Sequence, residues 1–481
     1  MAYRDMRDFL AVLDQKGKLK RIGKTVDRMW EPACLAKWMY QALPAEKRVG
    51  LFFDKVAGSD MKLVTGALGA SPETYCLALG VEPEDLNETW VKALVNPIPP
   101  KLVDRGVCQE VVLTGKDASL DILPIPVWTP GKDVAPYITT MVFTRDHDTA
   151  IQNIGVYRTQ VKDAHTVICN LGNGRQGTIH TQTYTSRGKP APIAWVIATE
   201  PVIHLASVAN LPPNADEMDV AGGLKGEAIE MVKCKTVDLK VPANAEIVIE
   251  GEVLPGEMAP EGPFGEFAGY MGPVGPRPVI RITAITHRKD PIFYGYTSQI
   301  PPSESTVLQS LSNAPVILKM LRHDLGQRTV SDVHIDLTFG GMLAHVVVAM
   351  KPMVPGHAKH VGRMVAETSL LKRVTVVDDD VDIRDPVHLE WAMNSRYDPA
   401  RDTIIIRDVF VPQSMDPSVR VRDGVSDLGS KVVIDATQSI DSGELSLPKR
   451  DIMERALETW KAEGLPDFAI PKRLKYRLDR A

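Results

Sequence analysis

Two glutamates five residues apart, in Glu261-Gly-Pro-Phe-Gly-Glu266-Phe-Ala-Gly-Tyr270, are the first residues whose types and spacing could do chemistry. Pro263 and the flanking Pro255-Gly256, Gly272-Pro273 and Gly275-Pro276 argue against a regular helix through the segment. A stiffened loop can hold two carboxylates at fixed separation, so that each perturbs the other's proton affinity and one stays protonated near neutral pH. The plain alternative is a solvated Gly/Pro surface loop. Phe264, Phe267 and Tyr270 weigh against it, because a solvated loop rarely needs three aromatics. Upstream, Gln152-Asn153-Ile-Gly-Val-Tyr-Arg158 alternates so that Asn153, Gly155 and Tyr157 share one face of a strand, with Arg158 on the other face or at the strand's end. A buried arginine would want a carboxylate partner; an edge-strand arginine in water is the equal alternative.

Leu171-Gly-Asn-Gly-Arg-Gln-Gly177 matches G-x-G-x-x-G after the strand-like run His165 to Cys169, with Glu200 following 23 residues past Gly177. Read as a Rossmann fingerprint, it would make the chain a nicotinamide (NAD-dependent) dehydrogenase. The four threonines in Thr178 to Arg187 predict a poor helix there. The other readings are a phosphate-holding loop with Arg175 aimed at an anion, or a bare glycine turn in a β-domain. Pro212 to Asp219 is an acid-rich helix entry, by itself most often dipole complementation. Asp378-Asp-Asp380 with Asp382 lacks the histidines of a known metal site and reads as a strand end and helix cap. No H-E-x-x-H occurs, so zinc hydrolysis has no support.

The elements that must position these groups change character along the chain. Met6, Phe9, Leu10 and Leu13 at helical spacing, then alternation from Leu19 to Val26, predict helix, turn and strand; a second helix is expected over Glu31 to Leu43. Proline-rich stretches near 97–100 and 123–131 mark a junction. From about 135 to 300 short β-rich runs dominate, with one helical insert at Glu217 to Ala228, which predicts a central barrel or sandwich. Beyond 305 helices and strands alternate, an α/β pattern, and the tail is helical. With 56 Lys+Arg against 61 Asp+Glu, a net charge of −5 and no run of 18 apolar residues, neither nucleic acid nor membrane is an expected partner. The opening Met1-Ala-Tyr-Arg-Asp-Met-Arg-Asp holds no apolar stretch, so no secretory signal is expected. Five scattered cysteines without C-x-x-C suit a reducing cytoplasmic location.

Taken in order, Asn153-x-x-x-x-Arg158, the Arg175-Gln-Gly177 turn, Glu217-Met-Asp with Gly222-Gly223, and the E-G-P-F-G-E-x-x-G-Y block resemble the UbiD family of reversible decarboxylases. Arg7-Asp-Phe-Leu near the start, and Val377 to Ile383 with Trp391 to Arg396, are similar to that family's two ends, so the resemblance covers nearly the whole chain. It implies an α+β and α/β multidomain protein: an N-terminal α/β domain (1–115), a central split β-barrel that binds flavin (116–305), a C-terminal α/β oligomerisation domain (306–448) and a helical tail (449–481). The implied cofactors are prenylated FMN, supplied by a flavin prenyltransferase, with Mn²⁺ and K⁺ at its phosphate. Carried over residue by residue, Asn153 and Glu217 correspond to metal ligands. Members commonly have a histidine where Gln176 stands, so either Gln176 or the nearby His180 is the third ligand. Asn153, Val156, Tyr157, Arg158, Arg175, Gln176, Gly177 and Glu217 correspond to cofactor contacts, and Arg158, Glu261 and Glu266 to a catalytic network. His334 falls near a position where some phenolic-acid members have a second acid/base, a structural histidine being the alternative.

The implied reaction is non-oxidative, reversible decarboxylation of an aromatic, heteroaromatic or α,β-unsaturated carboxylic acid through a covalent substrate–prenylated-FMN adduct, with Glu266 as proton donor. Losing CO₂ from an sp² carbon leaves a carbanion without resonance stabilisation, for which no side chain is an adequate electron sink. The implied assembly is a homo-oligomer, dimer or hexamer. A non-catalytic flavin-binding subunit is the remaining alternative.

Overall fold

The computed structural model describes residues 3–172, 174–212, 215–339, 345–410, 416–422, 425–438 and 445–478. They fall into two compact units, the first taking most of those up to Val316 and the second most of those from Ile317 onward.

In the first unit, helix Met6–Gln15 starts at Asp5, whose carboxylate accepts the Asp8 N–H at 3.0 Å. Its Met6, Phe9, Leu10 and Leu13 are buried, the 3.6-residue stripe doing what its spacing predicts. The sheet beside it runs Leu19–Ile22, Gly50–Phe53, Lys62–Thr65 and Ile292–Tyr294, so its fourth strand arrives from far along the chain. Helix Glu31–Ala42 follows the first strand.

The centre is a closed barrel. Ile247–Glu261, Ala191–Ile197, Tyr137–Arg145, Gln152–Asp163, Thr166–Cys169 and Gly275–His287 pair in that order, and the last pairs back to the first. Every pairing around the ring is antiparallel. Closure removes both open edges, which a six-strand sheet would otherwise expose. The Tyr137–Arg145 and Ala191–Ile197 strands are buried almost throughout, with Phe143 and Trp195 fully enclosed.

One expectation fails here. The threonine-rich stretch after the glycine loop is a helix, Gln176–Thr185. Hydroxyls that would compete with the backbone instead bond back along it, Thr181 Oγ1 to the Gly177 carbonyl at 2.9 Å and Thr185 Oγ1 to that of Thr181 at 3.1 Å. Burial of Gly177, His180 and Thr181 supplies what intrinsic propensity lacks. Helix Glu217–Lys225 is capped by Asp216, which accepts the Met218 N–H at 2.7 Å, and ends at Gly226 with φ +80°.

The second unit carries a five-stranded sheet, ordered Val330–Ile335, His345–Met350, Arg373–Asp378, Gly429–Ala436 and Thr403–Val409, with helix His357–Thr368 against it. Its acidic run is structural: Asp378 closes a strand, and Arg396 gathers Asp378 at 2.7 Å and Asp380 at 2.9 Å. The helix cap is Asp385, taking the Val387 and His388 N–H groups, and not Asp382. Helix Arg450–Ala462 buries no residue. No helix among the described residues is long and apolar enough to cross a membrane.

Candidate active site

Arg158 sits on the Gln152–Asp163 strand, and Glu261 is the last residue of the Ile247–Glu261 strand. The guanidinium grips Glu261 with two parallel bonds, Nε to Oε1 and Nη2 to Oε2, each 2.9 Å. This is the fork geometry that fits a carboxylate best. The remaining nitrogen, Nη1, pairs with Oε1 of Glu266. Side-chain exposure grades the three: 0% for Glu261, 10% for Arg158 and 16% for Glu266. Glu266 hangs in a small hairpin made by Phe264–Gly265 and Met271–Gly272, closed by the Glu266 N–H donating to the Tyr270 carbonyl at 2.8 Å. A Cβ at Gly272 would stand 3.0 Å from Glu266 Oε1 and 3.4 Å from Arg158 Nη1, so both side chains would have to give way.

Apolar and hydroxyl groups wall this network. Phe264 lies 4.4 Å from Tyr137, centroid to centroid, and Arg158 stands 5.6 Å over the Phe264 ring. Phe264, Tyr137, Trp128 and Ala33 form one buried cluster. Gln160 Oε1 accepts from both the Tyr137 hydroxyl and the Gly262 N–H, each at 3.0 Å. Burial, with the charge of Glu261 adding, pushes the Tyr137 hydroxyl well above the usual phenol range.

A second cluster lies near the start of the same strand, five residues or roughly 16 Å from Arg158. Asn153 and Glu217 are both buried, and Glu217 Oε2 accepts the Ile154 N–H at 3.2 Å. Burial pushes the Glu217 carboxyl up to about 8, and the neighbouring charge is the like one of Asp216. The Asn153 Nδ2 is buried without a partner. A desolvated carboxylate beside an unsatisfied amide fits a cation with oxygen ligands, since turning the amide presents its oxygen. Among the described residues no three His, Cys, Asp or Glu side chains converge as a metal cluster, so a cation here would have to draw on amides or a single imidazole. Tyr157 closes the cluster: its hydroxyl accepts the Gly177 N–H at 3.3 Å. Cβ atoms on Gly155 and Gly177 would fall 2.6 and 3.0 Å from its ring. Arg175 takes the N-cap position of helix Gln176–Thr185, next to the left-handed Gly172 and Gly174.

Residues 10–94, 101–301 and 306–436 match, in turn, the profiles described as the N-terminal, Rift-related and C-terminal domains of 3-octaprenyl-4-hydroxybenzoate carboxy-lyase, UbiD. Among solved structures the chain is similar to the UbiD-class enzyme HmfF from Pelotomaculum thermopropionicum in complex with FMN, at 35% identity over 94% of this chain and 99% of that one, TM-score 0.82. An evolved dimeric form of the same enzyme in complex with prFMN matches at 33% identity over 95% and 100%, TM-score 0.81. Vanillic acid decarboxylase from Sedimentibacter hydroxybenzoicus matches at 28% identity over 96% and 100%, TM-score 0.85.

The chain belongs to the UbiD family. It is a carboxy-lyase of that family. UbiD membership and the barrel together remove the dehydrogenase reading: the strands flanking the glycine loop lie in an antiparallel ring and not in a parallel βαβ unit, and Glu200 is wholly buried, held by Thr199 and by Asn244 at 3.2 Å. Tyr137, Gln160 and Phe264's partner Ala33 escaped the sequence reading. Gln160 was findable, two residues past Arg158 on the same face; nothing in the spacing points to Tyr137 or Ala33. His334 lies in the second unit, where burial lowers its imidazole to about 4. A surface cleft at Arg7, Asp14, Arg21, Phe52, Lys62 and Asp290 has its cations already paired, Arg7 with Glu246, Arg21 with Asp14 and Lys62 with Asp290.

Proposed function

We propose that this carboxy-lyase catalyses reversible, non-oxidative decarboxylation of an aromatic, heteroaromatic or α,β-unsaturated carboxylic acid, with prenylated FMN as cofactor and Glu266 as proton donor. The observation that carries it is the unequal sharing of Arg158: Glu261 has both oxygens bound and no exposure, whereas Glu266 uses one oxygen and keeps partial access. A proton donor needs an oxygen that can reach the reacting carbon, and Glu266 is the acid with one to spare. Glu261 holds the arginine, the arginine orients Glu266, and the Phe264–Tyr137 wall keeps water from a carboxylate about to be lost. When bound, prenylated FMN supplies the electron sink for the pair left behind by CO₂. The FMN and prFMN complexes of HmfF support that cofactor, and the vanillic acid enzyme supports an aromatic substrate.

Asn153 and Glu217, with Gln176 or His180, would hold Mn²⁺, whose charge neutralises a cofactor phosphate. Arg175, Gly177, Val156 and Tyr157 would line the same cofactor. Co-expression with a flavin prenyltransferase, followed by denaturing mass spectrometry of the released ligand and metal analysis, tests the assignment. Prenylated flavin with roughly one Mn²⁺ per chain is expected. A colourless, metal-free protein that still released CO₂ would overturn it.

A further inference from the structure

Helix Glu31–Ala42 uses three side chains at i, i+4 and i+8 to hold the hairpin that carries Glu266 and the chain beside it. Ala33 packs in the Phe264 cluster. One turn on, the Lys37 ammonium donates to the Ser298 carbonyl; one turn further, the Gln41 amide donates to the Ile300 and Pro301 carbonyls at 3.2 Å each. The helix thus straps down residues 298–301 at two points. Between them stands Gln299, with φ +64°, 4% exposure and no partner for either amide atom among the described residues. A left-handed glutamine without such bonds keeps that conformation only where its surroundings impose it. Gln299 in turn bears on the hairpin. A Cβ at Gly265 would stand 2.7 Å from Gln299 Cγ and 2.4 Å from Thr129 Oγ1, so the backbone one residue before Glu266 sits directly against both side chains. The Gly265 N–H also donates to Asp133 Oδ1 at 3.3 Å, and Asp133 Oδ2 accepts the Thr129 N–H at 2.6 Å. Burial lowers the Lys37 ammonium to about 7 and the charge of Asp133 opposes that, so the ammonium stands in the field of the carboxylate that anchors the hairpin.

We propose that Lys37 is a positioning residue for the proton transfer: through Ser298 it holds Gln299 against Gly265 and so fixes where the Glu266 carboxyl stands. The inference rests on the reading of Glu266 as proton donor. Glu266 is tethered to Arg158 through one oxygen and takes the rest of its direction from its hairpin. Two paired strands of two residues have little rigidity of their own. Without the Lys37 donor the strap loosens, Gln299 backs away from Gly265, and the hairpin drifts. A displacement of about 1 Å is enough to cost a positioned group on the order of 10²-fold in rate.

The test uses the full chain, co-expressed with a flavin prenyltransferase. Lys37→Met keeps the stem and removes the donor; Trp38→Ala, at a side chain 72% exposed on the same helix, is the control. Amide hydrogen exchange, which needs no substrate, should speed up about tenfold or more over 262–272 in Lys37→Met and stay at the wild-type rate over Tyr137–Arg145. Turnover is read with whichever of benzoic, furoic, pyrrole-2-carboxylic and cinnamic acid the wild type decarboxylates fastest. In Lys37→Met kcat should fall about 10- to 100-fold with KM and flavin content unchanged, and the solvent deuterium isotope effect on kcat should rise as proton delivery becomes the slow step. Trp38→Ala should match wild type throughout. Gln41→Ala, which loosens the same strap, should change hairpin exchange in the same direction and decides the matter even if Lys37→Met does not fold. Wild-type hairpin exchange and kcat in Lys37→Met, or an equal loss in Trp38→Ala, would overturn the proposal while leaving Glu266 as donor. Faster hairpin exchange in Lys37→Met alongside normal turnover in Glu266→Gln would instead sink the donor reading, and the role of Lys37 with it.

Discussion

Glu261 and Glu266 carry the same functional group and differ in what surrounds it. With both oxygens taken by the Arg158 fork, Glu261 is a fixture; with one oxygen taken, Glu266 can exchange a proton. Replacing Glu266 with glutamine keeps the shape and removes the transferable proton, so decarboxylation should fall about 10²–10⁴-fold with cofactor content unchanged. Microscopic reversibility gives an independent check: wild type in D₂O should wash deuterium into the decarboxylated product, and the variant should not. Normal exchange in Glu266→Gln would shift the role to Glu261. Glu217→Gln should act on a different quantity. Its carboxylate is argued to serve a cation, so flavin and metal content should drop first, as read by absorbance and metal analysis. Full occupancy with normal turnover would return Glu217 to an ordinary helix entry.

At the scale of elements, glycines decide how closely the parts approach. Tyr157 lies across Gly155 of its own strand and Gly177 of the following helix; a Cβ would overlap the ring at Gly155, 2.6 Å away, and crowd it at Gly177, 3.0 Å away. Gly155→Ala should push the ring aside and break its bond to the Gly177 N–H, costing about 1–3 kcal/mol of stability. Metal content should fall more than thermal stability does if the Asn153–Glu217 cluster holds the proposed cation, because Tyr157 shares the strand of Asn153. An alanine variant with unchanged Mn²⁺ affinity would show that Tyr157 only packs. The hairpin that carries Glu266 follows the same logic: Gly272→Ala crowds Glu266 and Arg158 while leaving the barrel ring intact. Turnover should fall about tenfold or more, the size expected when a positioned acid is displaced, with a nearly unchanged melting transition.

Across the whole molecule, one buried carboxyl joins distant stretches of the first unit. Glu304 is fully buried and accepts from the N–H groups of Gly66 at 2.9 Å, Leu68 at 3.3 Å and Thr297 at 3.2 Å, and from the Tyr294 hydroxyl. Burial raises its carboxyl from 4.5 to about 7 against those donors, which favour the charged form. A raised carboxyl means that the folded chain holds a proton the unfolded chain has lost. The associated stability is present in full below about 4.5 and is lost as pH rises through 7. Thermal unfolding of wild type should therefore move down between pH 5 and pH 8, and Glu304→Gln should flatten that decline. A slope that persists in the variant would assign it to another group. Much of this architecture was legible in order along the chain, because helix stripes such as Met6, Phe9, Leu10 and Leu13, and alternation such as that of Asn153 to Arg158, are local consequences of 3.6 and 2 residues per repeat. The paired glutamates and their arginine were legible too, since a loop of prolines, glycines and aromatics has few bland uses. What the chain order could not reveal is which groups meet: that Arg158 binds Glu261 with two bonds and Glu266 with one, that Tyr137 and Ala33 wall them, that a threonine-rich segment is a helix, and that His180 faces Thr144 and not solvent. Those contacts depend on the barrel, whose ring pairs strands as far apart in the chain as Thr166–Cys169 and Gly275–His287 and buries side chains against partners that no local repeat encodes.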